Sequence, residues 1–335
     1  MSDKTKIEWA DATANPVNGC TVISPGCTNC YAMRLAGARL RNHPSRAGLT
    51  QQSKAGPVWN GTVRWNERQL MQPLKWRKPR KIFWNAHGDL FHDAVPDEWI
   101  DKVFAVCALT PQHTHMILTK RPKRMRDYMT YSSRPDKFIF YREDGSSYPI
   151  PDSRMRVESA LCGLFAKTPA RQLNLAAKLS EIAGFEGIMQ GWPLPNVWLG
   201  VSVEDQERAD ERIQNLLETP AAIRFISAEP LLGPLDLREI QYYPGFCVNS
   251  LTGCCDDGSM PDQQPINWVI VGAESGPGAR TMANEWAQSI VDQCRETGTA
   301  VFVKQLSSGG SNAIHDIEAF PQALQVREFP EVAAS

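Results

Sequence analysis

The 335-residue sequence is 42% apolar and 22% charged, a balance that sets it among globular chains and apart from disordered ones. Its formal net charge of −1 supplies no global field toward nucleic acid or a membrane surface, and no apolar run is long enough to span a bilayer. The opening segment MSDKTKIEWADATANP carries no apolar stretch of secretory type, so a cytoplasmic location with no membrane partner is expected.

In chain order, the first feature is a cysteine loop, Asn15-Pro-Val-Asn-Gly-Cys20-Thr-Val-Ile-Ser-Pro-Gly-Cys27-Thr-Asn-Cys30. A basic stretch with interleaved tryptophans follows, from Arg64 to Lys81. Lys81–Asn85 reads as a strand that runs into Ala86-His87-Gly88-Asp89-Leu90-Phe91-His92, and a helix is expected over 97–109. His115–Thr119 is the next strand, and the basic run Lys120 to Arg126 follows it. An insertion over about 130–192 has a helical pattern around 170–183. Val197–Val203 is a strand with Ser202 and Glu204 at its end, ahead of a helix over 205–217. Ile223–Ser227 leads to Glu229, and a second insertion over about 239–265 holds Cys247, Cys254 and Cys255. Trp268–Gly272 leads to Glu274; a helix over 284–297 follows, with Asn284 as expected N-cap and Gly298 as its stop. Ala300–Lys304 closes the series with Lys304 and Gln305.

The strands are nearly continuous apolar runs that alternate with helices, the pattern of a parallel α/β sheet covered on both faces. A doubly wound sheet shows the same alternation, but the Gly-rich turn of its dinucleotide-binding version is missing. The expected architecture is therefore a partial (β/α)6 TIM-like barrel in a single domain over 1–335, with two insertions. Chemistry on such a barrel collects at the carboxyl ends of its strands. Asp89, Lys120, Arg121, Ser202, Glu204, Glu229, Glu274 and Lys304 all fall there. They form either a ligand-binding ring or a set of structural ion pairs.

Nine cysteines in a cytoplasmic chain argue against a disulfide framework. Cys20, Cys27 and Cys30 are spaced C-x6-C-x2-C, with Gly19, Pro25 and Gly26 allowing the loop to curl around an inorganic centre. Spacing alone leaves zinc and iron–sulfur both open. Structural zinc takes a fourth ligand, for which His43 is available, whereas three thiolates without a fourth leave one iron of a [4Fe–4S] cluster free. Cys254 and Cys255 are adjacent, an awkward arrangement for a second compact centre.

Several long motifs carry a resemblance: IEWADATANPVNGC, SPGCTNCYA, NAHGDLFHDAVPDEWIDKVFAVCAL, NVWLGVSVEDQERADERI, RFISAEPLLGPLDL and INWVIVGAESGPGAR. In this order, from residue 7 to about 306, they resemble the phage Gp37/Gp68 family, whose three-cysteine loop places it with radical S-adenosylmethionine (SAM) proteins. The resemblance implies a [4Fe–4S] cluster on Cys20, Cys27 and Cys30. It implies that Gly88 and Asp89 hold the SAM amino group, and Ser202 and Glu204 its ribose. Glu229, Glu274 and Lys304 become the substrate-side groups. The implied activity is reductive cleavage of SAM to a 5′-deoxyadenosyl radical, fed by an electron donor such as a flavodoxin or ferredoxin. The basic stretches point to a nucleobase, nucleotide or phage DNA as substrate. The competing reading is a nucleic-acid-binding module with a structural metal at the three cysteines and no catalysis.

Overall fold

The computed structural model describes residues 5–130, 193–243, 245–255, 263–309 and 312–331, with Ile139–Tyr141, Ser147–Pro149 and positions 157 and 160. The helix expected around 170–183 lies outside the described residues. The apolar runs fold as strands β1 (Ala12–Ala14), β2 (Lys81–Trp84), β3 (Thr114–Thr119), β4 (Val197–Ser202), β5 (Ile223–Ala228), β6 (Trp268–Gly272) and β7 (Ala300–Ser307). A short β8 (Ala313–Ile314) completes an eight-stranded sheet in which spatial order follows chain order. Neighbours pair in parallel from β1 to β7, and β8 runs antiparallel to β7.

Among the described residues, five helices of seven or more residues accompany the sheet: α1 (Tyr31–Gly37), α2 (Asp97–Ala108), α3 (Pro122–Met129), α4 (Gln206–Leu217) and α5 (Asn284–Thr297). Their limits follow local chemistry. Asp97 and Glu98 complement the amino-terminal dipole of α2, and the Asp205 carboxylate caps α4 by accepting from Arg208 N at 3.0 Å. Gly298, at φ 71°, ends α5 in the left-handed conformation that a glycine adopts without strain. The N-cap of α5 is Ala283 rather than the expected Asn284, and it makes no side-chain cap bond. The basic run after β3 is mostly helix, because Pro122 suits a first turn while Met125, Tyr128 and Met129 bury one face at helical spacing. Between β5 and β6 the place of a helix is taken by a hairpin, Ile240–Tyr243 with Phe246–Val248. Its Tyr242 hydroxyl donates to Glu218 beyond the end of α4 at 2.5 Å.

A strand order that never reverses has a mechanical consequence. Right-handed crossovers all taken in one direction fall on the same face of the sheet. The other face then has no helices to cover it, and the sheet must curve over its own side chains. Two apolar layers show this division. One contains Ile100, Val103 and Phe104 of α2, Ile213 and Leu216 of α4, Ile290 and Val291 of α5, and the outward residues of the strands. The other is a separate aromatic cluster of Trp9, Phe83, Met116, Trp198, Phe225, Trp268, Ile270 and Phe302. Trp9 lies 4.8 Å from Phe83 of β2 and 6.2 Å from Trp268 of β6 (ring centroids). Those strands are four positions apart, which in a flat sheet would separate them by about 19 Å. The sheet is therefore strongly curved, with the aromatics on its concave side. Gly200 on β4 leaves room there, since a Cβ would lie 2.6 Å from the Phe225 ring.

The expected parallel α/β sheet is present and curved, and it is open: among the described residues no ladder joins β1 to β7 or β8. No helix of the described residues is long and apolar enough to cross a membrane.

Candidate functional site

Along each parallel strand alternate side chains face the concave side. The aromatic layer occupies these positions in the strand bodies, and polar groups occupy them where the strands end. Beyond Phe83 comes Asn85, beyond Trp198 comes Ser202, beyond Phe225 come Ser227 and Glu229, and beyond Phe302 comes Lys304. These residues line a cavity of about 280 Å³ at the carboxyl end of the sheet, together with Asp89, Lys120, Arg121, Glu274 and the three thiols Cys20, Cys27 and Cys30. Residues more than 270 positions apart in the chain thus face one space.

Each cysteine is half-buried and free of any disulfide. Cys20 stands where the chain leaves β1: Gly19 N donates to His87 O at 3.1 Å, and the Arg121 guanidinium lies 3.7 Å from Cys20 Sγ. Burial pushes the Cys20 thiol up to about 12, with the Asp89 charge adding to this and Arg121 opposing it. Cys27 ends a 3-10 turn, Pro25–Cys27, and Cys30 immediately precedes α1; burial also raises the Cys30 thiol. Thr21 is held by His92, whose Nδ1 accepts from Ala94 N at 3.1 Å, so that Nε2 donates to Thr21 Oγ1 at 2.7 Å. His92 is a structural hydrogen-bonder, and its pKa is lowered by burial.

The strand-end carboxylates divide into two kinds. Asp89 is 5% exposed, and both of its oxygens are occupied. Oδ1 accepts from Phe91 N at 2.9 Å and Thr119 Oγ1 at 2.7 Å, while Oδ2 accepts from Lys120 N at 3.2 Å and Arg121 Nη1 at 2.9 Å. Glu204 is fully buried and accepts from Gly26 N at 3.1 Å, Lys120 Nζ at 3.1 Å and Arg212 Nη1 at 2.9 Å. Although burial opposes ionisation, Lys120 and Arg212 hold the Glu204 carboxyl down at about 2. Glu274 accepts from Asn29 Nδ2 at 2.8 Å and from Arg280 through Nη2 at 2.5 Å and Nε at 2.9 Å, which keeps it ionised against its burial. Glu229 differs from these three. It pairs with Lys304 across the ends of β5 and β7, and both side chains keep some exposure to the cavity, at 20% and 14%. Ser202 Oγ accepts from Lys120 Nζ at 2.7 Å.

Residues 4–327 match a family described as "Protein of unknown function (DUF5131)". The chain belongs to DUF5131. No curated protein and no solved structure matches it.

In this DUF5131 chain the three loop cysteines and the strand-end residues singled out from sequence lie at one end of the sheet, and several of them have protein partners that sequence did not show. Asp89 has four internal donors and no free lone pair to offer a ligand's amino group. Glu204 and Glu274 are bound to the cysteine loop and to arginines rather than open to a ribose or a substrate. Gly88 is placed by packing: it bridges to Gly19, and a Cβ on it would lie 2.8 Å from Val17 O. The basic run after β3 is also committed. Arg124 bonds to His92 O, Val95 O and Asp97, Arg126 to Glu218, and Lys123 to Asp127, so that only Lys120 and Arg121 of that run line the cavity. His43 is outside the cavity, exposed and bonded to Ser45. Cys247 and Cys254 are exposed on the hairpin side, and Cys255 packs against the outer core.

Asn29, Arg280, Ser24 and Arg212 were not apparent from sequence. Asn29 had a signal, because it sits between two cysteines in Pro-Gly-Cys-Thr-Asn-Cys. Arg280, in Gly-Pro-Gly-Ala-Arg, had none until its partner Glu274 was seen.

Among the described residues no three or more His, Cys, Asp or Glu side chains converge as ligands of one metal ion. A zinc ion needs its thiolates at about 2.3 Å from a single point. Cluster thiolates each bind a different iron and so stand farther apart, around a cavity rather than a point. Here three free thiols line one cavity, and the Arg121 guanidinium stands against one of them.

Proposed function

We propose that this protein is a radical SAM enzyme, with Cys20, Cys27 and Cys30 as ligands of a [4Fe–4S] cluster. The observation that supports this most is the placing of three free thiols on one loop that closes the carboxyl end of a singly wound, curved parallel sheet. The motif resemblance to the phage Gp37/Gp68 family and the open, mostly parallel α/β sheet agree with it. When bound, the cluster supplies one electron from a reduced donor protein of flavodoxin or ferredoxin type, cleaving SAM to methionine and a 5′-deoxyadenosyl radical.

The chain's own residues divide this work. The cysteine loop, held to the ends of β4 and β6, supplies the thiolates. Arg121, oriented by Asp89, keeps a positive charge against Cys20 Sγ and favours its ionised form. The aromatic layer beneath the cavity excludes water from its floor. Glu229 and Lys304 are the substrate-side groups, because theirs is the strand-end pair with no bond to the cysteine loop. The substrate is a small molecule or a single nucleotide unit rather than a DNA tract, because Arg124 and Arg126 are spent on internal partners.

Protein reconstituted without oxygen should hold about four irons per chain, as a [4Fe–4S] centre requires. On reduction with dithionite it should convert SAM to methionine and 5′-deoxyadenosine. Stoichiometric zinc with no uptake of iron would sink the reading.

A further inference from the structure

The five residues around Cys27 are held from both sides of the cavity by two carboxylates that lie far away in sequence. On one side is Glu204. Its Oε1 accepts from Gly26 N at 3.1 Å, and the nearby Ser24 hydroxyl, which helps hold the Glu204 carboxyl down, lies 3.7 Å from Cys27 Sγ. A side chain on Gly26 would have its Cβ 3.0 Å from the Glu204 carboxylate, so the loop backbone lies directly on that group. On the other side is Glu274, which accepts from Asn29 Nδ2 at 2.8 Å; Asn29 also donates to Gly278 O at 2.9 Å. Arg280, paired with Glu274, closes the bracket by donating to Pro25 O at 3.0 Å. Arg34 adds bonds to Asn29 Oδ1 and Pro277 O. Residues on both sides of Cys27 are thus tied to strand ends. Cys20 is fixed differently, by its neighbour Thr21 and by Arg121, and Cys30 by the start of α1.

Two ionised carboxylates buried beside a loop of thiols are tolerated because they are paired and hydrogen-bonded. Here each is paired with arginine or lysine on the sheet side and presents its remaining lone pairs to the loop. We infer that Glu204 and Glu274 are positioning residues that preset the Cys27 thiol, Glu274 acting through Asn29 and Arg280, so that the loop has its ligand shape before any metal enters. From the proposed function this takes only that Cys27 is a ligand.

The test compares the wild-type chain with Asn29→Ala, Glu274→Gln and Glu204→Gln. In the reduced protein with metal chelated, iodoacetamide labelling of Cys20, Cys27 and Cys30 is followed residue by residue by mass spectrometry. Losing one tether should speed labelling of Cys27, relative to the other two, by roughly 3- to 10-fold, the worth of one hydrogen bond. Far-UV circular dichroism should not change. Asn29→Ala alters no charge, so its agreement with Glu274→Gln excludes a purely electrostatic effect on the thiol. In reconstituted protein the same variants should show a changed electron paramagnetic resonance line shape or reduced iron content. Labelling that is unchanged at Cys27, or that rises equally at all three cysteines, would overturn the inference. Wild-type protein that takes up no iron would instead overturn the proposed function, and the labelling pattern would still decide the clamp.

Discussion

Replacing Asp89 by Asn separates two roles for this residue. A carboxylate that binds a ligand's amino group would lose ligand affinity on conversion to the amide and leave the fold intact. The structure predicts the reverse emphasis. All four donors to Asp89 are protein groups, and its partner Arg121 has a side chain only 8% exposed. In Asp89→Asn one oxygen becomes an NH2 that faces two donors, whichever way the amide is turned. Either Phe91 N and Thr119 Oγ1 or Lys120 N and Arg121 lose their acceptor. Removing one partner of a buried ion pair costs about 3–5 kcal/mol, because the other charge stays buried. The expected loss is near the lower figure, since Asp93 lies 3.9 Å from Arg121 Nε and offers partial compensation. Urea unfolding of the wild type, Asp89→Asn, Arg121→Met and the double variant would measure it. The double variant should be at least about 1 kcal/mol more stable than the sum of the single effects implies, as expected for groups in contact. An Asp89→Asn cost below about 1 kcal/mol, or strict additivity, would refute this account and return Asp89 to ligand binding.

Other consequences follow from packing. Trp268 touches Trp9, Trp198, Phe225, Phe302 and Phe329, so Trp268→Ala should cost about 3–5 kcal/mol in urea unfolding by opening the concave layer. Gly88→Ala should destabilise by about 1–3 kcal/mol and lower iron uptake as well, because its Cβ meets backbone carbonyls at Val17 and Gly19 that carry the chain into Cys20. Iron uptake unaffected by Gly88→Ala would show that the loop entry does not set the thiol.

Much of the sheet was legible in sequence because its strands are apolar on both faces and end at polar residues. The six runs from Lys81 to Lys304 all form strands, within one residue at their starts and three at their ends. β1 escaped because Ala-Thr-Ala is three small residues with no pattern, and its place in the sheet is set by the ladder to Ile82, Phe83 and Trp84. α3 was obscured by its charge: five cationic residues lie in Lys120 to Arg126, and the buried stripe that makes it a helix begins only at Met125. The carboxylates were found at strand ends, but their protein partners were not legible. Sequence shows that Glu204 and Glu274 end strands, but Gly26 is 178 residues from the first and Asn29 is 245 from the second. Only the closing of the cysteine loop over the sheet brings them together, so the same residues read equally as a ligand ring or as ion pairs.

The distinction between those two readings extends to pH. Glu204 has its carboxyl lowered from 4.5 to about 2 by Lys120 and Arg212, and Glu274 is lowered in the same direction by Arg280 and Asn29. A depressed carboxyl contributes stability that is fully present above its unfolded pKa and is lost as pH falls toward the folded one. For Glu204 the window therefore runs from about 4.5 down to about 2, and the shift corresponds to about 3 kcal/mol at 1.36 kcal/mol per unit. The side chain is fully buried, so solvent screening does not reduce this figure. Acid unfolding of the whole chain includes other groups, and Glu204→Gln isolates this one. The variant should be less stable than wild type at pH 7, and the gap should close steadily as urea unfolding is repeated from pH 5 to pH 3. All thiol alkylation slows over this range as the thiolate fraction falls, so Cys27 labelling is read relative to Cys20 and Cys30 at each pH. That ratio should rise in wild type more than in the variant, since protonation of Glu204 weakens its hold on Gly26. Curves that stay parallel from pH 7 to pH 3 would mean that Glu204 is not held ionised by its lysine and arginine, and the bracket around Cys27 would lose one of its two anchors.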